Sequence, residues 1–370
     1  MTTTIGVLKE TAPGERRVAL VPADVGRLRR DGLTVLVEHG AGQGAWHADA
    51  DYAAVGAEIG DRDGVYATSD VLLCLTAPDD PDRLRAGQTL VGLLAPRVDR
   101  SLPERLAAAG VTAVSLDLLP RTLSRAQAMD ALTSQANVAG YKAALLAADA
   151  YGGFLPMLVT AAGTARPARV LVLGAGIAGL QAISTARRLG ALVSGYDVRD
   201  AARADIASTG AAVLTLDTPA GTGEGGYARR LTDDETTRQQ RALNDAVGAF
   251  DIVITTAQVP GGRPPLLITA LDAMRPGAVV VDMAASAHGG NVAGSRPGET
   301  VVTPGGVTVI GAGNLAARVP QAASAAYSRN VCALLAALLR DGSVVIDPDD
   351  EIHAAVVVTR NGHVLSEVAR

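Results

Sequence analysis

The chain has 370 residues, enough for two domains that each bury a core, and 48% of them are hydrophobic although only 3% are aromatic, so small aliphatic side chains must fill those cores. A net charge of −5 without long basic runs excludes the electrostatic footprint of a nucleic-acid binder. No apolar run approaches the roughly 18 residues of a membrane helix, and the first residues, MTTTIGVLKETAPGERR, lack the charged-then-apolar layout of a signal peptide.

Cys74 and Cys332 both sit in apolar runs, where cysteine acts as a small buried hydrophobe, so no disulfide and a reducing compartment are expected. His39, His47, His288, His353 and His363 show no close metal-ligand spacing. No metal is expected, and the histidines read as surface or satisfied loop residues.

Residues 1 to about 125 alternate short β-like runs (TIGVL, TVLVE, VLLCL, TLVGLL, VTAVSL) with helical stretches at Ala23 to Arg30, near Asp51 to Ile59 and near Leu102 to Ala109. That rhythm predicts a parallel sheet with helices on both faces. Lys9, Glu10, Arg16 and Arg17 cluster after the first strand, as either a solvated charged face or an anion site. Ala126 to about Tyr151 is alanine-rich without proline and predicts one long helix leading to the second domain.

Arg169 to Asp200, RVLVLGAGIAGLQAISTARRLGALVSGYDVRD, is the most specific stretch. An apolar strand, Val170 to Leu173, runs into Gly174-x-Gly176-x-x-Gly179 and a helix opening at Ile177. The first glycine permits the tight turn, the second lets backbone approach a pyrophosphate, and the third lets the helix lie close on the strand. The helix N-terminus then offers free N–H groups and positive dipole to phosphates. A second strand, Leu192 to Tyr196, ends at Asp197, about 20 residues on, where a carboxylate accepts ribose hydroxyls and disfavours a 2′-phosphate. NAD(H) is the expected cofactor, and the nearby Arg199, a group suited to a 2′-phosphate, leaves NADP(H) open.

Further strands are expected at Ala212 to Leu216, Asp251 to Thr256, Ala278 to Asp282 and Val307 to Ile310. TPAGTGEGGYARRLTD between Asp217 and Asp234 is glycine-rich and reads as a surface loop or a lid. A helix at Ala322 to Leu339 precedes a β-rich end that is expected to return to the first domain. The fold class is therefore α/β: two Rossmann-like domains with doubly wound parallel sheets joined by long helices. Their expected bounds are 1–130 plus 325–370 and 131–324.

GERRVALVP, SRAQAMDALTSQANVAGYKA, the fingerprint with its DVR ending, GEGGYARRLTDDE, DIVITTAQVPG and MRPGAVVVDMA together resemble the NAD(H)-binding component of the proton-translocating NAD(P) transhydrogenases, relatives of alanine dehydrogenase. The resemblance covers almost the whole chain. It implies direct, Re/Si-specific hydride transfer between NAD(H) held here and NADP(H) on a partner domain, coupled to proton translocation by membrane-spanning partner subunits. It also implies a homodimer peripheral to the inner face of the cell membrane. On the family pattern Gln127 and Asp130 match residues around the nicotinamide, Thr133 stands where serine is usual, and Arg121 is the counterpart of the loop arginine. The loop is one residue longer here, with Leu123 inserted before Ser124. The resemblance places Gly174, Gly176, Ile177, Gly179, Asp197, Val198, Arg199, Ala257 and Gln258 against the nucleotide, and Tyr227 in a loop that closes over it. Gln258 replaces a common leucine, and the segment from Asp282 to Asn291 carries Ser286 and His288 where a carboxylate or glutamine is common.

Two alternatives stay open. An alanine dehydrogenase-like amino-acid dehydrogenase needs a substrate-binding cation and an acid/base. The positions where those enzymes carry Lys and His hold Cys74 and Ala95 here, although Arg17 could bind a carboxylate. The other alternative is a non-catalytic NAD(H)-binding protein.

Overall fold

The computed structural model describes residues 3–217, 221, 229, 231–259 and 262–365. The chain divides into two compact units, residues 1–135 with 316–370 and residues 136–315. The first unit opens with strands β1 (Thr4–Val7), β2 (Thr34–Glu38), β3 (Glu58–Gly60), β4 (Val71–Thr76), β5 (Thr89–Leu93) and β6 (Thr112–Ser115). The second begins with a small hairpin, β7 (Leu158–Thr160) and β8 (Gly163–Ala165). It continues with β9 (Arg169–Leu173), β10 (Leu192–Tyr196), β11 (Ala212–Val213), β12 (Ile252–Thr255), β13 (Val279–Asp282), β14 (Thr300–Val302) and β15 (Thr308–Gly311). The returning chain adds β16 (Leu339–Arg340), β17 (Ser343–Val344), β18 (Val357–Arg360) and β19 (His363–Val364).

The first sheet has the order β19-β18-β6-β5-β4-β1-β2-β3 and the second β11-β10-β9-β12-β13-β15-β14. Both contain the same parallel core, numbered from its own first strand as 3-2-1-4-5-6, which is the doubly wound order. Each therefore reverses winding once, between β1 and β4 in one unit and between β9 and β12 in the other. Ligands of such sheets bind beyond the strand C-termini at that reversal.

Alternate strand residues feed opposite faces of each sheet. In the second unit Val170, Val172, Ile252, Ile254, Val279 and Val281 pack with Ile183 and Ala186 of the Ile177–Arg188 helix and with Ala143 and Ala147 of the Ala131–Ala150 helix. Leu171, Leu173, Val253 and Val280 face Leu243, Val247 and Phe250 on the other side. Both faces are covered, which is why these strands read as continuous apolar runs rather than alternating ones. In the first unit the Pro320–Leu338 helix covers one face through Tyr327, Val331, Leu334 and Leu335, and Leu102 and Leu106 cover the other.

Four elements differ from the sequence expectation. The helix expected near Asp51 to Ile59 ends at Ala54, and Glu58–Gly60 instead forms the edge strand β3 parallel to β2. Gly56, at φ +90°, makes the break. The expected strand at Ala212 to Leu216 pairs only over two residues. The expected continuous helix from Ala126 divides, because Ser124–Met129 is a 3₁₀ segment and the α-helix starts at Ala131. The exposed edge strand β14 was not signalled by its short TVV sequence. The C-terminal β18 pairs antiparallel with β6, so the β-rich end extends the first sheet.

The charge cluster after β1 is neither uniformly solvated nor free. Lys9 and Arg16 are exposed, whereas Arg17 is 7% exposed and Glu10 accepts the Leu75 N–H at 2.6 Å and the Thr76 hydroxyl at 2.9 Å. Both cysteines are free and buried. His353 departs from the surface-or-loop expectation. It is buried in the Glu351–Val356 helix, with Nδ1 accepting the Asp347 N–H and Nε2 3.2 Å from the Ala337 carbonyl oxygen.

Candidate functional site

The site of the second unit is assembled where β9 and β12 diverge. Gly174 turns the chain out of β9 at φ +98°, and a β-carbon on it would stand 2.6 Å from the Thr256 hydroxyl. That hydroxyl donates to the Gly174 carbonyl oxygen at 3.0 Å, tying the end of β12 to the glycine turn. A β-carbon on Gly179 would overlap the Gly174 carbonyl oxygen, so only glycine lets the Ile177–Arg188 helix start so close to β9. Gly176 differs from both. Its φ of −77° suits any residue, and a β-carbon there would meet no atom of the described residues within 4 Å. Among the described residues no packing contact requires glycine at this position, and a residue without a side chain lets backbone come close to a ligand.

Gly176 also caps the helix without any side-chain hydrogen bond, and no acidic residue lies in the first turn. Unpaired N–H groups at a helix start without a competing carboxylate suit an anion. Ile177 is half-buried at the helix start. The turn thus fits a dinucleotide pyrophosphate on its own geometry.

Asp197 stands just beyond β10. One carboxylate oxygen, Oδ2, accepts the Ala175 N–H of the glycine turn at 2.8 Å and Nη2 of Arg199 at 2.9 Å. The other, Oδ1, accepts the backbone N–H and Nε of Arg199, both at 2.9 Å. Burial pushes the Asp197 carboxyl up, but the Arg199 side chain, the two backbone N–H groups and the Arg199 charge outweigh it and hold the group below the ordinary aspartate value. Val198 accepts the Gly221 N–H through its carbonyl. Tyr227 lies outside the described residues.

Ala257 and Gln258 follow β12 at the same end of the sheet. Their backbone is held by Asn291, which sequence reasoning did not single out for this. Fully buried, it accepts the Ala257 N–H at 3.0 Å and donates to the carbonyls of Ala257 at 2.9 Å and Pro265 at 2.7 Å. Asp282, also fully buried, accepts from the Thr255 hydroxyl, the Ala284 N–H and the Val292 N–H. Gln258 itself is exposed, with its amide 3.4 Å from the Met283 carbonyl oxygen. Ser286 and His288 form a tight turn closed by the Ser286 and Gly289 backbones. The only sequence signal for Asn291 was its place after two glycines.

The first unit brings together three of the four residues assigned to the nicotinamide. Arg121 donates to Asp130 at 3.2 Å and to the Thr133 hydroxyl at 2.8 Å. Thr133 donates in turn to Asp130 at 2.6 Å. Asp130 also accepts the Thr133 N–H at 2.8 Å, capping the Ala131–Ala150 helix. Gln127, on the preceding 3₁₀ segment, is exposed and its side chain joins none of these bonds.

The amino-acid dehydrogenase positions look different. Cys74 is 1% exposed within β4 with its thiol pointing to the Val91 carbonyl, and burial raises its pKa well above the ordinary thiol value. Ala95 offers no titratable group. Arg17 is committed, with Nε and Nη2 on Glu15 and Nη1 on Gln135 at 2.7 Å.

Known proteins resemble this chain along nearly its whole length. Residues 6–139 match the N-terminal domain model of the alanine dehydrogenase/PNT family and residues 143–367 its C-terminal domain model. A Rickettsia prowazekii protein named as the first portion of an NAD(P) transhydrogenase alpha subunit is 37% identical over 376 residues, covering 99% of this chain and 97% of that one. An alanine dehydrogenase of Mycolicibacterium smegmatis is 30% identical over 376 residues, with 98% and 95% covered. The crystal structure of a transhydrogenase from Sinorhizobium meliloti superposes with a TM-score of 0.87 at 38% identity, covering 98% of this chain and 99% of that one. With both domain models matched along nearly its full length, the chain belongs to the alanine dehydrogenase/PNT family.

Proposed function

We propose that the chain is the NAD(H)-binding component of a proton-translocating NAD(P) transhydrogenase, exchanging hydride directly with NADP(H) on a partner domain. One observation carries this choice within the family. The nucleotide turn is intact, whereas the position of the amino-acid dehydrogenase acid/base holds Ala95, and Arg17 is bonded to Glu15 and Gln135. Transfer between two nicotinamides moves a hydride with no proton exchanged with a substrate oxygen or nitrogen, so no acid or base is needed and positioning supplies the catalysis.

In this reading the Gly174–Gly179 turn holds the pyrophosphate on backbone N–H groups and Asp197 holds the adenosine ribose. Bound NAD(H) supplies the hydride chemistry. Arg121, Gln127, Asp130 and Thr133 are assigned to the nicotinamide on the family resemblance, and the bonds among Arg121, Asp130 and Thr133 support those three acting as a unit. Homodimerisation, membrane-spanning partners and peripheral attachment to the inner membrane face belong to the same proposal. No helix among the described residues is long and apolar enough to cross a membrane. The test mixes the purified protein with an isolated NADP(H)-binding domain of this family and follows hydride exchange between NADH and an NADP⁺ analogue. Exchange above background is expected, and none with both nucleotides bound would reject the assignment.

A further inference from the structure

The carboxylate expected to read the adenosine ribose is already full. A carboxylate offers about four acceptor positions, and Asp197 has four donors on them: the N–H groups of Ala175 and Arg199, and Nε and Nη2 of Arg199. The side chain of Asp197 is 8% exposed and that of Arg199 25%. Two of the four donors are backbone groups fixed by the glycine turn and by the strand end. Only the guanidinium can leave.

From this arrangement, and resting on the NAD(H) reading above, we infer that Arg199 is a specificity-determining residue held in reserve by Asp197. The ribose hydroxyls of NAD(H) take the two acceptor positions that the guanidinium vacates, so Arg199 competes with the ribose. Asp197 in turn keeps Arg199 from serving a 2′-phosphate, for which a planar, charged fork is well suited. Exclusion of NADP(H) then has two parts, repulsion by the carboxylate and capture of the neighbouring cation. The simple reading of a Rossmann acidic residue contains only the first.

The two parts separate in a double-mutant cycle. Nucleotide affinities are measured by calorimetry, with NADH and NADPH as probes, on the full chain and on Asp197→Asn, Arg199→Ala and the double variant. Asp197→Asn is chosen because its amide oxygen still accepts the Ala175 N–H, and a thermal melt of each variant checks folding. Arg199→Ala is expected to bind NADH several-fold more tightly than the wild type. Asp197→Asn is expected to gain about tenfold in NADPH affinity, the scale of one charge-assisted contact, and the double variant is expected to lose most of that gain. If the double variant keeps the whole gain, repulsion alone sets the preference and the proposal fails while the NAD(H) site stands. The proposal fails likewise if Arg199→Ala weakens NADH, because Arg199 would then be a ligand rather than a competitor. A wild type that binds no NADH saturably overturns the nucleotide-site reading itself.

Discussion

Asp130 serves two masters at once, as helix cap and as partner of Arg121 and Thr133, which sets what substitutions near it can reveal. Replacing Asp130 would cost about 1 kcal/mol of helix stability through the lost cap, so its effect on catalysis would mix folding with chemistry. Gln127 is the cleaner probe because its side chain holds nothing in the described fold. Gln127→Asn is expected to slow hydride transfer far more than it weakens NADH binding, measured by stopped-flow exchange against equilibrium titration. Equal losses would make it a binding residue only. A second residue-scale expectation concerns Asp80. The Arg62 hydrogen bonds hold its carboxyl at about 2 against partial burial, with further help from the Tyr66 hydroxyl. A carboxyl lowered in the folded state contributes stability above its unfolded value, near 3.9, and loses it as pH falls toward the folded one. Urea melts should therefore show wild type more stable than Asp80→Asn at pH 6, with the gap closing between about pH 4 and 2.

The strand–turn–helix element was legible in the sequence because each of its glycines answers a local demand, and the structure separates those demands. Gly179 is needed by the packing of helix on strand, whereas none of the described residues packs where a β-carbon of Gly176 would stand. Gly179→Ala is expected to lower stability by roughly 1–3 kcal/mol, the range of an overpacked contact. Gly176→Ala should leave stability unchanged or raise it by about 0.4–1 kcal/mol, since its backbone is already in an ordinary region, while NADH affinity falls at least about tenfold, or 1.4 kcal/mol. Thermal melts and titrations on the same two variants check this. Loss of stability in Gly176→Ala would mean that the open space beside it is part of the fold. The start of the Ala131–Ala150 helix was less legible. Composition favoured helix from Ala126 onward, and only the Asp130 cap, read with its Thr133 partner, marks where it begins.

At the scale of the whole molecule, the first unit is closed by chain that arrives more than two hundred residues after its sheet begins. Thr359, fully buried on β18, accepts the Ala113 N–H at 3.0 Å and donates to the Val111 carbonyl at 2.8 Å. Val357 and Val358 are buried beside it. A chain ending after Leu338 would expose the β6 edge and the apolar surface these residues cover, and exposed edges template aggregation. Size-exclusion chromatography of that truncation should show species larger than the intact chain forms, or precipitate; a monodisperse product of the intact chain's oligomeric state that melts cooperatively would refute the role given to β18.

Local signals sufficed for the alternation of strands and helices, the doubly wound class, the dinucleotide turn and the family resemblance, because burial on both faces of a parallel sheet writes itself into short apolar runs and the turn writes itself into glycine spacing. Three things waited for the tertiary structure. Asn291 and Thr256 stabilise the β9–β12 crevice from positions far from the fingerprint, which only the strand order brings together. Arg17, open to a carboxylate when read from the sequence, proves to be buried and bonded to Glu15 and to Gln135, a residue 118 positions away that only the fold brings beside it. Arg199, two residues from Asp197 in the sequence, turns out to occupy two acceptor positions of its carboxylate, because a side-chain direction is set by the packed strand end and not by proximity along the chain.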